Sequence, residues 1–279
     1  MSVRIVTDST ADLPPGLAEK HGVTVVPLTV SFGDESFLDG VTIDADTFYA
    51  RMRSSPGLPK TSQPSVSAFR AVYEPLLAAG HDIVSIHISS RLSGTLNSAR
   101  LAAEALSAPG RVELVDSENV SMGLAGVVLA AVEAAEAGVA LDGVAAAARA
   151  AIPRHHVIAA VDTLEFLRRG GRIGRAQSLL GSILSIKPII EVRDGEIGPL
   201  ERVRTRARAL DRLVELATAD PTIARLFVAS AGDDAGAQAL ADRIRPLLPG
   251  VEIMLGRLGP VVGAHAGPGL LGVCTVKRA

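Results

Sequence analysis

Residues 83–95 read Ile-Val-Ser-Ile-His-Ile-Ser-Ser-Arg-Leu-Ser-Gly-Thr, and this stretch decides the fold class of the chain. The apolar run 83–88 has the composition of a buried strand. A helix opens directly after it, near Gly94. Ser93 is a natural N-cap for that helix, and Gly94 lets another group approach the backbone closely. A strand that leads through a short loop into a helix is the repeating unit of a parallel α/β sheet.

Strand and helix patterns alternate on both sides of this stretch through the first half of the chain. Strand patterns cover residues 3–6, 23–32, 83–88 and 112–115. Helix patterns cover residues 14–21, the segment after Ser65, the segment after Gly94, and an alanine-rich run that ends at Ala137. This alternation predicts an α/β fold with a mostly parallel sheet wrapped by helices, and ligands bind such sheets at the carboxyl ends of the strands.

The second half of the chain has a different pattern. Two strand-like runs, 188–193 and 196–203, flank Asp194-Gly195, which is a strong hairpin turn signal. Further strands are expected at 157–161, near Phe227 and at 251 and 271, with helices at 205–217 and through Leu240. We therefore predict an N-terminal α/β domain over residues 1–151 and a C-terminal α+β domain over residues 152–279. The segment around residues 60–78 is expected to pack against the second domain, so that a ligand would lie between the two.

The composition limits the possible functions. Of the 279 residues 48% are apolar, but only 3% are aromatic and Trp is absent, so the apolar surface is mainly aliphatic. That composition suits a flexible alkyl ligand and argues against base stacking. The net charge of −2 provides no basic surface for nucleic acid. We expect no nucleic-acid partner.

Three further features indicate a cytoplasmic protein. The longest apolar run, residues 122–132, is too short to cross a bilayer, so no integral membrane segment is predicted. The N-terminus has no charged and apolar leader. The single cysteine, Cys274, excludes an internal disulfide and is expected to be buried and inert.

Two hydroxyl-rich loops contain more hydroxyl groups than helix capping requires. They are Lys60-Thr61-Ser62-Gln63-Pro64-Ser65 and the loop 89–95 already quoted. Ser65 is the natural N-cap of the helix after the first loop, which leaves Thr61 and Ser62 without a capping role. Taken singly, either loop is more often only a cap or a turn. Together the two helix N-termini and their spare hydroxyls favour a site for an anionic oxygen group.

Five stretches of the sequence resemble the signature stretches of the DegV family. They are Thr7-Asp8-Ser9-Thr10-Ala11-Asp12-Leu13, the loop 60–65, Ser93-Gly94-Thr95, Gly170-Gly171-Arg172-Ile173-Gly174, and Gly263-Ala264-His265-Ala266-Gly267-Pro268-Gly269. The resemblance extends from about Val3 to Lys277. It implies a protein that binds a long-chain fatty acid, such as a C16–C18 acid, and no cofactor. It further implies that a separate fatty acid kinase phosphorylates the carboxylate of the bound acid.

The resemblance and the hydroxyl loops together give the expected site residues. Thr61, Ser62, Ser93, the amide of Gly94 and His265 are expected to hold the carboxylate, and His265 is expected to lie in a glycine-rich loop. Arginines are locally in excess at 202, 204, 206, 208 and 212, and Arg172 could extend this patch. A solvated face is the default explanation of such a patch. Arg172, Arg202 and Arg204 are nevertheless possible docking residues for the partner kinase.

Other functional classes remain open alternatives. A hydrolase or acyltransferase could use Ser93, His265 and Asp8, but Ser93 is not in a Gly-x-Ser-x-Gly turn. A DNA-binding regulator has neither the positive charge nor a clear helix-turn-helix to support it. Residues 267–272 spell the dinucleotide-binding glycine pattern but precede a strand instead of opening a helix, so we reject that site. No phosphate-binding Gly-x-x-x-x-Gly-Lys-Ser/Thr loop occurs, and no metal site is predicted.

Overall fold

The computed structural model describes residues 2–55, 57–106, 110–180 and 186–278. The strands are β1 (Val3–Asp8), β2 (Thr24–Val26), β3 (Thr29–Phe32), β4 (Glu35–Leu38), β5 (Lys60–Ser62), β6 (Asp82–His87), β7 (Val112–Asp116), β8 (His155–Ala160), β9 (Lys187–Arg193), β10 (Glu196–Val203), β11 (Ile223–Ser230), β12 (Glu252–Arg257) and β13 (Leu271–Lys277). The helices are α1 (Leu17–Lys20), α2 (Ala45–Ser54), α3 (Val66–Ala78), α4 (Thr95–Glu104), α5 (Met122–Glu136), α6 (Leu141–Ala151), α7 (Glu165–Arg169), α8 (Arg206–Ala217), α9 (Asp234–Ile244) and α10 (Pro260–Ala266).

The first half of the chain forms a four-stranded sheet in the order β2-β1-β6-β7, and all three pairings are parallel. Helices α3 and α4 pack on one face of this sheet, and α5 and α6 pack on the other. Because both faces are covered, most residues of β1 and β6 are buried, as in parallel strands generally. The predicted parallel α/β sheet is confirmed.

The second half forms a six-stranded sheet in the order β10-β9-β8-β13-β11-β12, which is antiparallel except between β11 and β12. Helices α8 and α9 cover one face. The other face packs against α2, α5, α10 and β3. At the predicted hairpin turn both Asp194 and Gly195 have positive φ angles, 53° and 76°, as the tight turn requires.

A small third sheet corrects two predictions. The run 23–32 was expected to be one strand, but it breaks at Pro27, which has no backbone N–H to continue a ladder. The first piece, β2, joins the parallel sheet, and the second, β3, joins a separate sheet in the order β4-β3-β5. Residues 60–62 are therefore a strand and not a loop, with Thr61 paired to Val30.

The helix boundaries also differ from the predictions. The helix predicted at 14–21 is shortened to α1 because Gly16 is in the left-handed region, with φ of 77°. The glycine-rich stretch around His265 was predicted to be a loop, but α10 covers most of it. Gly263 lies within this helix at a point of close packing against α2, where a Cβ would lie 2.5 Å from Tyr49 Oη. The N-cap of α4 is Gly94, one residue after the predicted Ser93. Helices α2 and α6 were not predicted.

A chain of buried hydrogen bonds holds β1 to β6. Asp8 accepts from the Ile88 amide at 3.0 Å and contacts His87 Nδ1 at 2.9 Å, and His87 Nε2 lies 2.7 Å from Ser85 Oγ. The predicted role of His87 as a satisfied histidine of the sheet is confirmed. Since Asp8 is fully buried, its carboxylate depends on these partners and on Thr10.

Replacing Asp8 with Ala should lower the free energy of unfolding by about 3 kcal/mol, because the Ile88 amide and the His87 ring would lose their buried acceptor. Urea denaturation measures this difference. Asp44→Ala is the control. Asp44 is exposed and caps α2 through the Thr47 amide, so its loss should cost about 1 kcal/mol. Equal losses in the two variants would contradict the structural role of the Asp8 network.

Candidate functional site

A cavity of about 460 Å³ lies between the inner face of the six-stranded sheet and the elements β5, α5 and α10. Four of the five residues predicted to bind the carboxylate, Thr61, Ser62, Ser93 and His265, line this cavity. Gly94 is not among the lining residues. The rest of the lining is mostly aliphatic and includes Leu28, Ile88, Leu92, Val120, Met122, Val157, Ala159, Leu167, Ile190, Val192, Ile197, Ala229, Leu258, Val261, Val262, Ala266, Leu270 and Cys274.

Thr61 and His265 form the centre of the polar end of the cavity. Thr61 Oγ1 on β5 lies 2.7 Å from His265 Nε2 on α10. The other ring nitrogen, Nδ1, is buried without a hydrogen-bond partner and packs against Gly170, where any side chain would overlap the ring. Burial, helped by the positive charge of Arg172, lowers the pKa of His265 to about 4. The imidazole is therefore uncharged at neutral pH.

Ser93 and Gly94 lie beside this pair. Ser93 Oγ accepts from the Thr95 amide at 3.3 Å and lies 2.9 Å from Thr95 Oγ1. The close approach predicted at Gly94 is made by the Gln63 side chain, which a Cβ at Gly94 would overlap. Gln63 lines the cavity and donates to Ser98 Oγ at 3.0 Å. The role of the Gly94 amide in carboxylate binding stays a prediction.

The arginines predicted as possible docking residues have different surroundings. Arg172 lines the cavity and donates to the carbonyl oxygens of Leu92, at 3.0 Å, and Gly170, at 2.8 Å. Arg202 and Arg204 are exposed, and Arg202 donates to the Ser178 carbonyl at 2.6 Å. Arg206, Arg208 and Arg212 form ion pairs with Asp162, Asp233, Glu201 and Glu215. Much of the expected local positive charge is thus neutralised.

Two buried carboxylates hold the start of α10, the helix that bears His265. Asp12 accepts from the Gly259 amide at 2.8 Å and from Ser121 Oγ at 2.5 Å. Asp39 accepts from Ser9 Oγ at 2.8 Å and from the Val261 amide. Burial raises the pKa of Asp12 well above its usual range and that of Asp39 to about 7. The sequence contains no signal for this pair, because its members meet only in the fold.

The apolar floor of the cavity is a row of five residues, four of them Ala or Gly, that crosses five strands. Residue pairing places Ile190, Ala159, Gly272, Ala229 and Gly256 side by side on β9, β8, β13, β11 and β12. The first four line the cavity. Met122 from α5 occupies the space above Gly256, where a Cβ would lie 2.7 Å from its Sδ. We call this row of five residues the trough; it ends where Met122 covers Gly256.

The geometry does not support the alternative hydrolase. Asp8 is bonded to His87 and not to His265, whose hydrogen bond goes to Thr61. Ser85, His87 and Asp8 do have the hydrogen-bond order of a catalytic triad, but all three are 0% exposed and no substrate can reach the hydroxyl. Among the described residues, no three His, Cys, Asp or Glu side chains are placed to hold a metal ion. Within the same residues, no helix is long and apolar enough to cross a membrane.

A family model described as "Uncharacterised protein, DegV family" matches residues 2–278. The chain belongs to the DegV family. It is 42% identical to a DegV domain-containing protein of Streptomyces coelicolor, over 99% of each chain. Its structure matches that of a DegV family protein from Thermus thermophilus, described by its fatty acid binding, with a TM-score of 0.93, 36% identity and 100% coverage of both chains. It also matches DegV from Bacillus subtilis, described as a fatty acid binding protein, with a TM-score of 0.90, 31% identity and 100% coverage of both chains.

Membership of the DegV family agrees with the mixed α/β fold predicted from the sequence. The buried Cys274 of this DegV protein also agrees with its prediction, since its side chain is 1% exposed and burial raises the pKa of its thiol.

Replacing Asp39 with Asn should change how stability depends on pH. Between the ordinary pKa of 3.8 and about 7 the folded chain keeps the Asp39 proton and the unfolded chain does not. Folded protein then binds more protons, so the contribution of Asp39 to stability falls as pH rises through this window. Asn cannot ionise, so the stability of Asp39→Asn relative to wild type should rise across the same window.

Urea denaturation of both proteins at about pH 5 and about pH 8 measures this relative stability. His265 and His155, whose pKa values burial lowers to about 4, titrate in both proteins and cancel in the difference. Asp12 is electrostatically coupled to Asp39, so the stability difference reports the titration of the Asp12–Asp39 pair. A stability difference that does not vary with pH would show that Asp39 is ionised in the folded chain throughout.

Proposed function

We propose that this DegV protein binds a long-chain fatty acid, such as a C16–C18 acid, and presents its carboxylate to a separate fatty acid kinase. The observation that supports binding most directly is one cavity with two chemically different ends. Hydroxyls, an uncharged histidine and an arginine lie at one end, and an aliphatic trough lies at the other. The fatty-acid-binding descriptions of the DegV proteins from Thermus thermophilus and Bacillus subtilis support the same ligand class.

The Thr61–His265 pair explains how the polar end would receive an anion. An uncharged imidazole has one N–H, and the partnerless Nδ1 is the less costly nitrogen to leave without a proton. We therefore assign the hydrogen to Nε2, which donates to Thr61 Oγ1. The Thr61 hydroxyl proton is then free to point into the cavity and donate to a carboxylate oxygen. Ser93 and Ser62 supply further hydroxyl donors, and Arg172 supplies positive charge.

The trough accounts for the alkyl chain. Each methylene that leaves water contributes about 0.8 kcal/mol, so a long acyl chain gains on the order of 10 kcal/mol before the entropy lost on binding is subtracted. The small side chains of Ala159, Gly272 and Ala229 leave room for that chain across the strands. The carboxylate must keep hydrogen-bond donors, because an unpaired buried charge would cost more than several methylenes contribute.

Presentation to a kinase is supported by what the sequence lacks and by where the polar end lies. The sequence contains no phosphate-binding loop of its own, so a second protein would have to supply the ATP site. Arg172, which lines the polar end, is exposed, so this end of the cavity is close to the protein surface. Arg202 and Arg204 are the proposed docking residues for that partner.

Native mass spectrometry of the purified protein, followed by lipid extraction, tests the binding proposal. A mass increment that matches a long-chain fatty acid is the expected result. Titration with acids of increasing length should then show affinity rising until the trough is full and falling beyond that length. Protein that neither retains nor binds any fatty acid would overturn the proposed function.

Thr61→Val and Ser93→Ala should each weaken fatty-acid binding about ten-fold or more, since a hydrogen bond to a charged group contributes roughly 1.5–3 kcal/mol. His265→Ala should also weaken binding, because it removes the Nε2–H that orients the Thr61 hydroxyl toward the carboxylate. Displacement of a fluorescent fatty acid measures the affinities. Fatty alcohols of the same length are the internal control. They lack the carboxylate, so they should bind wild type more weakly and lose less in the variants. Unchanged acid affinity in all three variants would refute the assignment of the polar end.

Arg202→Glu and Arg204→Glu should leave fatty-acid affinity intact but slow phosphorylation of the bound acid by a purified fatty acid kinase. Charges at the rim of an interface act mainly on the association rate, so the defect should shrink as salt rises and the Debye length falls below about 8 Å. Arg53→Glu, an exposed arginine on α2, is the charge-matched control. Equal phosphorylation rates for Arg53→Glu, Arg202→Glu, Arg204→Glu and wild type at low salt would refute the docking role.

A further inference from the structure

Ser89 is a buried anchor of the loop that bears Ser93, and the neighbouring Ser90 amide is held by the Asp116 carboxylate. The amides of Leu92 and Ser93 both donate to the Ser89 carbonyl, at 2.9 and 3.1 Å. The Ser89 amide in turn donates to the Asn119 carbonyl at 2.9 Å. The position of the Ser93 backbone is therefore set by the position of Ser89.

Ser89 is itself fixed by a distant hairpin. Its hydroxyl donates to the Gly195 carbonyl at 2.7 Å, across 106 residues of sequence, and Ser89 is only 1% exposed. Gly195 is at the tip of the β9–β10 hairpin. A Cβ at Gly195 would lie 2.5 Å from Ser89 Oγ, so the tip rests directly on the loop.

Two weaker contacts flank this buried bond. Arg91 forms an ion pair with Glu196 at 2.8 Å, and Arg172 donates to the Leu92 carbonyl at 3.0 Å. The Arg91–Glu196 pair is partly exposed, so its net contribution is small. The hydrogen bond from Ser89 to Gly195 is buried, and leaving its carbonyl without a donor costs more than losing an exposed ion pair.

The same hairpin also forms a wall of the cavity. Ile190 and Val192 on β9 and Ile197 on β10 line the apolar end. One rigid element thus contacts both the acyl trough and, through its tip, the loop that supplies a head-group hydroxyl. The Ser93 hydroxyl itself bonds only locally to Thr95 among the described residues, and α4 is tied separately, through Ser98, to the Gln63 side chain.

We propose that Ser89 and Gly195 are positioning residues that set Ser93 at the correct distance from the Thr61–His265 pair. This inference rests on the proposed fatty-acid function and deepens it. The residues act through Ser93 and do not touch the ligand. Their loss should therefore affect recognition of the carboxylate selectively, leaving the interaction with the alkyl chain intact.

The test compares Gly195→Ala with Gly33→Ala. Gly33 is also in a hairpin turn with positive φ, 61°, but a Cβ there would meet no heavy atom within 4 Å. Both substitutions add left-handed strain, and only Gly195→Ala disturbs the contact with Ser89. The readout is the ratio of acid to alcohol affinity at equal chain length. Urea denaturation of each variant confirms that it is folded.

The expected result is a fall of about five- to ten-fold in this ratio for Gly195→Ala, equivalent to one hydrogen bond, and no change for Gly33→Ala. Ser89→Ala, which adds no bulk, should reproduce the fall if Gly195→Ala does not fold. The double variant should lose no more than either single variant, because both remove one contact. A wild-type ratio in Gly195→Ala and Ser89→Ala would overturn the inference.

The outcomes also separate this inference from the proposed function. Wild-type protein that binds acid and alcohol equally would refute the carboxylate site itself. Wild-type protein that prefers the acid, combined with variants that keep the full preference, would refute only the positioning role of the hairpin.

Discussion

The hydrogen bond between Thr61 and His265 joins segments 204 residues apart, and the polar end of the cavity depends on it. Both partners lie on short elements, which provide few backbone hydrogen bonds to fix their positions. Thr61 lies on the short strand β5, and His265 lies on the two-turn helix α10. The fold compensates by holding α10 at its start through Asp12 and Asp39 and by packing Gly263 against Tyr49.

The electrostatics of the cavity follow from this arrangement. Two buried acids, Asp12 and Asp39, hold the amino end of α10, and burial raises the pKa values of both, which favours their uncharged forms. At the other end, burial, helped by the positive charge of Arg172, lowers the pKa of His265 and keeps its imidazole uncharged at neutral pH. The described lining of the cavity has hydroxyl groups, a guanidinium and one carboxylate, that of Glu191, which pairs with His156, among mostly aliphatic side chains. A ligand with an acidic head and an aliphatic tail matches the hydroxyls, the guanidinium and the aliphatic lining.

The sequence predicted the elements whose signals are local. The 83–95 stretch, the Asp194-Gly195 turn and the surplus hydroxyls at Thr61 and Ser93 each follow from composition and spacing over a few residues. The errors have tertiary causes. The glycine-rich stretch around His265 predicts a loop, but it forms most of α10. Gly263 is present there because the helix packs closely against Tyr49, and this contact is not visible in the local sequence. Likewise the row from Ile190 to Gly256 and the contact of Ser89 with Gly195 exist only through strand pairing, which no single segment of sequence reveals.

Strand β13 lies in the middle of the six-stranded sheet although it is the last strand in sequence. Its neighbours β8 and β11 are made earlier and cannot pair with each other across the space that β13 fills. During synthesis, the cavity therefore has no complete floor until residues 271–277 have been translated, because Gly272 and Cys274 belong to it. Ligand binding stabilises only the state that binds it, so a bound ligand would stabilise the chain only after β13 has completed the sheet.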